Sequence, residues 1–168
     1  DTFLAYRVSA WTRSRRKQLV AHPRYYLFDC GVTSALAHTL DERLNSEVRG
    51  RRFEQFFLGQ LIAALHYRKL DWSVQFWRTN HGAEVDFLLT KGAAILAAIE
   101  VKSRDIVSRT DTSGLQAFRD EHPKVPCFVV GIGHRPRDLG DGVTLMDWRA
   151  FLKHIPSLAR RKPRGPRE

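Results

Sequence analysis

The chain has 168 residues, 43% of them hydrophobic, with 28 Lys or Arg against 18 Asp or Glu and a net charge of +10. That length supports one domain with a substantial core, and two cysteines, Cys30 and Cys127, do not make a disulfide scaffold. The longest apolar run, Ala93 to Ile99, is too short to span a bilayer, so the expectation is a soluble cytoplasmic protein with free thiols and no membrane partner.

The basic excess is uneven. Residues 1–24 hold six basic and one acidic residue and 156–168 hold five and one, whereas 25–155 are nearly balanced at seventeen and sixteen. Residues 1–23 carry aromatics (Phe3, Tyr6, Trp11) without a sustained period and read as a basic arm with at most a short helix. In it Arg13, Arg15, Arg16 and Lys17 can neutralise phosphates without sequence preference, which makes them candidate substrate-binding residues; a solvated linker is the alternative. The Pro-rich ending, 156–168, is expected to be a disordered basic tail. The chain opens on Asp1 without a methionine, which suggests a fragment of a longer protein.

Residues 24–155 form the expected domain. Tyr25 to Phe28 suits a short strand, followed by Asp29 at a strand-to-helix junction and a helical stretch from Val32 to Leu40. Asp29 is more simply an N-cap than a ligand. Arg49 to Leu70 is the strongest helix, with Phe53, Phe56, Phe57, Leu61, Ala64 and Leu65 on one stripe. Glu54 lies about 100° from that stripe, at the edge of the packed face. On position alone it is an exposed glutamate paired with a neighbour.

Val74 to Thr79 alternates as a strand, and the turn at Asn80, His81 and Gly82 leads into a hairpin from Ala83 to Ser103, making a three-strand meander. In the hairpin's second strand Glu100 and Lys102 share a face, about 7 Å apart, and Val101 faces the other way. Asp86 joins them only if the register allows it. A three-residue loop (Gly92, Ala93, Ala94) with Lys91 facing Ile95 would set Asp86 opposite Glu100; a two-residue turn would need a bulge to do the same. Beyond the hairpin a polar connection precedes a short helix, Ser113 to His122, with Leu115 and Phe118 inward. A buried strand reached by a crossover (Pro126 to Ile132), a loop (His134 to Gly142), a short strand (Val143 to Met146) and a helix capped by Asp147 (Trp148 to Ile155) complete the domain.

Water cleaves a phosphodiester readily only when a metal polarises the phosphate and a base or cation positions the nucleophile. Asp86 and Glu100 on adjacent strands are suited to hold Mg²⁺ or Mn²⁺, with the Val101 carbonyl as a third oxygen and Lys102 orienting water or stabilising developing charge. Simple salt bridging is the other reading of the same residues. No P-loop, HExxH or CxxC pattern is present, which leaves nucleotide hydrolysis and zinc without a motif.

The series YYLFDCG, FEQFFLGQL, FWRTNHGAEVDFLL and IEVKS resembles the nuclease-like C-terminal domain, itself of unknown function, that follows the ATPase module in many prokaryotic AAA-type ATPases, within the PD-(D/E)XK superfamily. The resemblance runs from about Arg24 to Gly133. It implies an α/β fold with a mixed central sheet flanked by helices, restriction-endonuclease-like. It further implies Asp86 and Glu100 as metal ligands, Lys102 as the catalytic lysine, Glu54 as the helix carboxylate near the metal, and Gln116 close to the substrate. The usual proline before the first acidic residue is replaced by Val85. Two functions follow from it: a Mg²⁺-dependent nuclease-like domain acting on DNA under control of an ATPase module, or a catalytically silent DNA-binding or ATPase-regulatory module. Either leaves an oligomer open.

Overall fold

The computed structural model describes residues 4–12, 22–41, 43, 45–104 and 106–160. The strands are β1 (Ala5–Ala10), β2 (Arg24–Leu27), β3 (Ser73–Arg78), β4 (Glu84–Lys91), β5 (Ala94–Val101), β6 (Cys127–Gly131), β7 (Arg137–Asp138) and β8 (Val143–Asp147). Four helices accompany them among the described residues: α1 (Cys30–Leu36), α2 (Ser46–Tyr67), α3 (Ser113–Glu121) and α4 (Trp148–Arg160). The strands form one eight-stranded sheet in the order β2-β1-β3-β4-β5-β6-β8-β7. β1 runs parallel to β3, β5 and β8 run parallel to β6, and the remaining neighbours are antiparallel. The expected mixed α/β sheet with flanking helices is therefore the fold.

Both faces of the sheet are covered. On one, Phe57 and Leu61 of α2 and Phe151 and Ile155 of α4 pack on Phe87, Ile99 and Phe128; on the other, Leu115 and Phe118 of α3 pack on Trp77, Leu88 and Val129. Burial on both sides explains why β6 reads as an unbroken apolar run: Phe128 and Val130 face α2 and α4 while Cys127 and Val129 face α3. Fully burying a side chain such as Phe57 is worth about 1.5–3 kcal/mol, so the α2 stripe anchors the helix that carries Glu54.

Local signals set the helix ends. Asn45 caps α2 by accepting the Val48 N–H at 2.9 Å. Without a glycine or proline, α2 stops through a left-handed Lys69 (φ 52°), with the Lys69 N–H on the His66 carbonyl and the Leu70 N–H on that of Leu65. Asp29 caps α1 through the Val32 N–H at 2.8 Å, as its position predicts. The buried amide of Gln55 ties α2 to the neighbouring elements, donating to the Leu27 carbonyl (2.8 Å) and to Thr33 Oγ1 (2.7 Å).

Four expectations change. The arm reading fails for residues 5–10, which form β1: six alternating residues that bury Val8 and Ala10 are too few to show a sustained period. The loop from His134 to Gly142 contains β7, a two-residue partner of β8. The last helix continues five residues past Ile155, through Pro156, because Leu158 is buried and holds the final turn, so 156–160 are not a disordered tail. Arg13, Arg15, Arg16 and Lys17 and residues 161–168 lie outside the described residues.

The fourth change concerns the hairpin. Its turn has two residues, Gly92 and Ala93, between the pair Lys91 and Ala94, and Gly92 takes φ 57°, a conformation that favours glycine. Thr90 pairs with Ile95 but Leu89 with Ala97, so Leu96 is an extra residue that shifts the register by one. From there Leu88 pairs with Ala98 and Phe87 with Ile99; one further step sets Asp86 level with Glu100. The bulge gives the register that the three-residue loop was expected to give, but not the shared pocket: Asp86 and Glu100 line different ones.

Candidate functional site

The charged residues gather where β4 begins and β5 ends. A second bulge lies here. β3 pairs Gln75 with Leu88 and Trp77 with Val85, so Asp86 and Phe87 together oppose Phe76. A bulge breaks the alternation of faces and re-aims a side chain. Asp86 uses that freedom to turn its carboxylate along the sheet, where Oδ2 accepts the Val101 N–H at 2.8 Å.

Glu100 and Lys102 share a face as their spacing requires, and Lys102 Nζ donates to Glu100 Oε1 at 2.7 Å. Glu100 Oε2 is buried without a hydrogen-bond partner. Val101 is buried in the opposite layer, against the α2 side. Two adjoining pockets open around this strand end, and Lys102 lines both. Glu100 belongs to the pocket on the α3 side with Glu84 and Asp111, while Asp86 belongs to the pocket on the α2 side with Glu54. The two carboxylates are level in register yet open to different pockets, which is what the bulge at Asp86 produces.

Electrostatics couples the two pockets. Asp86 is held well above the usual carboxylate range, first by burial and then by the charges of Glu100 and Glu54; the Val101 N–H and Lys102 oppose this. Burial also raises Glu100, against the pull of Lys102. Burial would lower Lys102, but Glu100, Asp86 and Asp111 outweigh it and raise its pKa, so the lysine is a cation at neutral pH.

Glu54 is brought to the α2-side pocket but is already engaged by other residues. Tyr26 Oη donates to Glu54 Oε1 at 2.5 Å, and Arg24 Nη1 lies 4.0 Å from the same oxygen. The Arg24 guanidinium also pairs with Glu84 and sits 4.3 Å from the centroid of the Phe76 ring. Burial and the charge of Glu54 push the Tyr26 hydroxyl upward, so it stays a donor. Two neighbours on β2 thus tie Glu54 and Glu84 together. Sequence reading missed Arg24, Tyr26 and Glu84. The spacing of Glu84 two residues before Asp86 was an available signal, whereas nothing local links β2 to α2, since Tyr26 and Glu54 are 28 positions apart.

Gln116 is not brought to either pocket; its amide donates to Thr112 Oγ1 at 3.2 Å within the same helical segment. His81 is an exposed turn residue.

Whether a hard dication fits can be judged from the donors. Glu100 Oε2 is buried and unpartnered and Asp86 is repelled by its acidic neighbours, and a bound ion would answer both. Among the described residues no three His, Cys, Asp or Glu side chains are arranged to hold one, and Glu54 is engaged by Tyr26. Mg²⁺ retains several waters and is commonly held by one or two carboxylates, so the donor types of Asp86, Glu100 and the Val101 carbonyl suit it, while the two carboxylates open to different pockets.

The fold and site thus define a mixed α/β domain with a carboxylate and lysine cluster at one end of its central hairpin. Residues 49–151 match the family described as Domain of unknown function (DUF4143), and the chain belongs to that family. The matched segment contains Glu54, Asp86, Glu100 and Lys102 and excludes Arg24 and Tyr26. No curated protein and no solved structure matches the chain. Among the described residues no helix is long and apolar enough to cross a membrane.

Proposed function

We propose that this chain is a divalent-metal-dependent, nuclease-like domain of the PD-(D/E)XK type that hydrolyses DNA phosphodiesters, and that it works as the C-terminal part of a larger ATPase. The observation that carries the reading is the pairing of Lys102 with Glu100 at the end of β5, beside a destabilised Asp86 and with Glu100 Oε2 unpartnered. The mixed sheet with helices on both faces supports a restriction-endonuclease-like arrangement.

Asp86, Glu100 and the Val101 carbonyl would hold Mg²⁺ or Mn²⁺, which when bound polarises the scissile phosphate and acidifies water. Lys102, cationic and fixed by Glu100, lines both pockets, orients the attacking water and meets the charge that develops on the phosphate. Glu54, held by Tyr26, lines the same pocket as Asp86.

A second reading, a catalytically silent DNA-binding or ATPase-regulatory module, is favoured by one observation: Glu54 is turned to Tyr26 and Arg24 instead of completing a group with Asp86 and Glu100. Incubating purified protein with labelled single-stranded and duplex DNA in Mg²⁺ or Mn²⁺ separates the two. The nuclease reading expects metal-dependent products and a loss of about 100-fold or more in Lys102→Ala, the usual scale for removing a group that stabilises the transition state. Salt-sensitive binding with no cleavage in either metal leaves the silent module standing.

A further inference from the structure

The α2-side pocket carries cations that none of the roles above uses. Arg49 of α2 and Arg104, two residues beyond Lys102, line it together with Ser103, Glu54 and Asp86. Arg104 is 60% exposed at its side chain and is steadied by Asp111, which its Nη1 meets at 3.0 Å. An arginine has five N–H donors in a planar fork, so that pairing orients the guanidinium and leaves donors for a further oxyanion. Arg49 is exposed as well. The pocket therefore has an outer rim that attracts phosphate and an inner wall of carboxylates that repels it. Glu47, at the same rim, is paired with Arg51 at 3.1 Å.

We infer that Arg49 and Arg104 are the phosphate-positioning residues of this cleft, seating the backbone of single-stranded DNA beside Asp86 and Lys102 without reading its bases. The inference rests on the reading of the cleft as a phosphodiester site and adds the strand path and the substrate form. Absence of sequence readout follows from the lining: among the described residues no aromatic side chain lines the cleft to stack a base, and guanidinium contacts to phosphate carry no sequence information. Preference for a single strand follows from recession. Asp86 is strongly desolvated in the pocket that Arg49 and Arg104 also line, so a flexible strand can lower a phosphate toward it where a rigid duplex cannot.

The test measures binding of the full chain to fluorescent single-stranded oligonucleotides of two unrelated sequences, and to a duplex, in EDTA so that cleavage plays no part. Arg49→Gln with Arg104→Gln is expected to weaken single-strand binding at least tenfold, equally for both sequences. The slope of log affinity against log salt should fall by roughly 1.4, about 0.7 for each phosphate no longer neutralised. Because both side chains are exposed, thermal melting serves to confirm an unchanged fold. A thermodynamic cycle separates this seat from the basic arms: Asp86→Asn removes repulsion and should tighten binding several-fold in the wild-type background but not in the double variant. Unchanged affinity in the double variant, tighter binding of duplex than of single strand, or an Asp86→Asn effect that ignores the arginines would each overturn the inference. Protein that binds as described but cuts nothing in Mg²⁺ or Mn²⁺ upholds the seat and removes the nuclease reading; protein that cuts while its binding ignores Arg49 and Arg104 does the reverse.

Discussion

Burial, the charge of Glu100 and the charge of Glu54 all favour the protonated form of Asp86, and the Val101 N–H and Lys102 oppose them without prevailing. An unfolded aspartate titrates at about 3.9. Between that value and the raised one, the folded chain holds a proton that the unfolded chain has lost, so stability falls as pH rises through this window. Asp86→Asn removes the charge and keeps a carbonyl oxygen for the Val101 N–H. The variant is expected to be more stable than wild type at pH 7 by on the order of 1 kcal/mol, a rise of about 2–4 °C in Tm for a chain of this size. The gain should fade as the pH is lowered through this window and vanish only below about 3, where both states of wild type carry the proton. Melting curves across that range decide it, and a loss of stability at pH 7 would show that the ionised carboxylate supports the fold. Other single residues were more readily legible. Asp29 and Asp147 announce themselves as caps from position alone, and Asp147 does accept the Arg149 N–H at 2.8 Å while also taking the Gly133 N–H at 2.8 Å. The Tyr26 to Glu54 bond was not legible, because it depends on how an edge strand lies against a helix.

At the scale of elements, the hairpin shows where pattern reading succeeds and where it stops. Alternation located β4 and β5, and the spacing of Glu100 and Lys102 gave their shared face. It could not distinguish an odd loop from an even turn plus a bulge, since the two give nearly the same apolar pattern; the extra residue, Leu96, is itself buried. The bulge at Asp86 was hidden for a related reason: Val85, Phe87 and Leu88 are all buried, so a break in alternation leaves no polar mark. The seating of α3 depends on a different signal. A Cβ on Gly114 would lie 1.9 Å from the carbonyl oxygen of Glu84, so the start of α3 touches the β4 backbone and only glycine permits the approach. Gly114→Ala should therefore destabilise the protein by about 1–3 kcal/mol, the range for overpacking, despite the better helix propensity of alanine. Urea unfolding measures it. A neutral or stabilising result would mean that α3 shifts away from β4 without loss, and with it the wall of the pocket that holds Glu100.

For the whole molecule, the core was more legible than the boundaries. A long amphipathic helix and an apolar β6 require burial on both faces, and both layers are present; β1, although paired on both sides by β2 and β3, escaped because a six-residue element next to a basic stretch resembles an arm. Net charge was the least informative whole-chain quantity, since 25–155 hold seventeen basic and sixteen acidic residues and the site is a local balance of Asp86, Glu100, Glu54 and Glu84 against Lys102 and Arg24. That balance makes stability a reporter of ion binding without any assay of cleavage. A dication held by Asp86 and Glu100 binds the folded chain and not the unfolded one, so it raises stability by about 2.7 kcal/mol when present at a hundredfold excess over its Kd. For a chain of this length that is a Tm increase of roughly 5–10 °C in Mg²⁺ or Mn²⁺. Both Asp86→Asn and Glu100→Gln should abolish the increase, whereas Lys102→Ala should retain or enlarge it, because the lysine competes with the cation for Glu100. A wild-type Tm that ignores both metals up to millimolar concentration, or one that rises equally in all four proteins, would show that these carboxylates do not form a metal site, and the silent module would then account better for the fold.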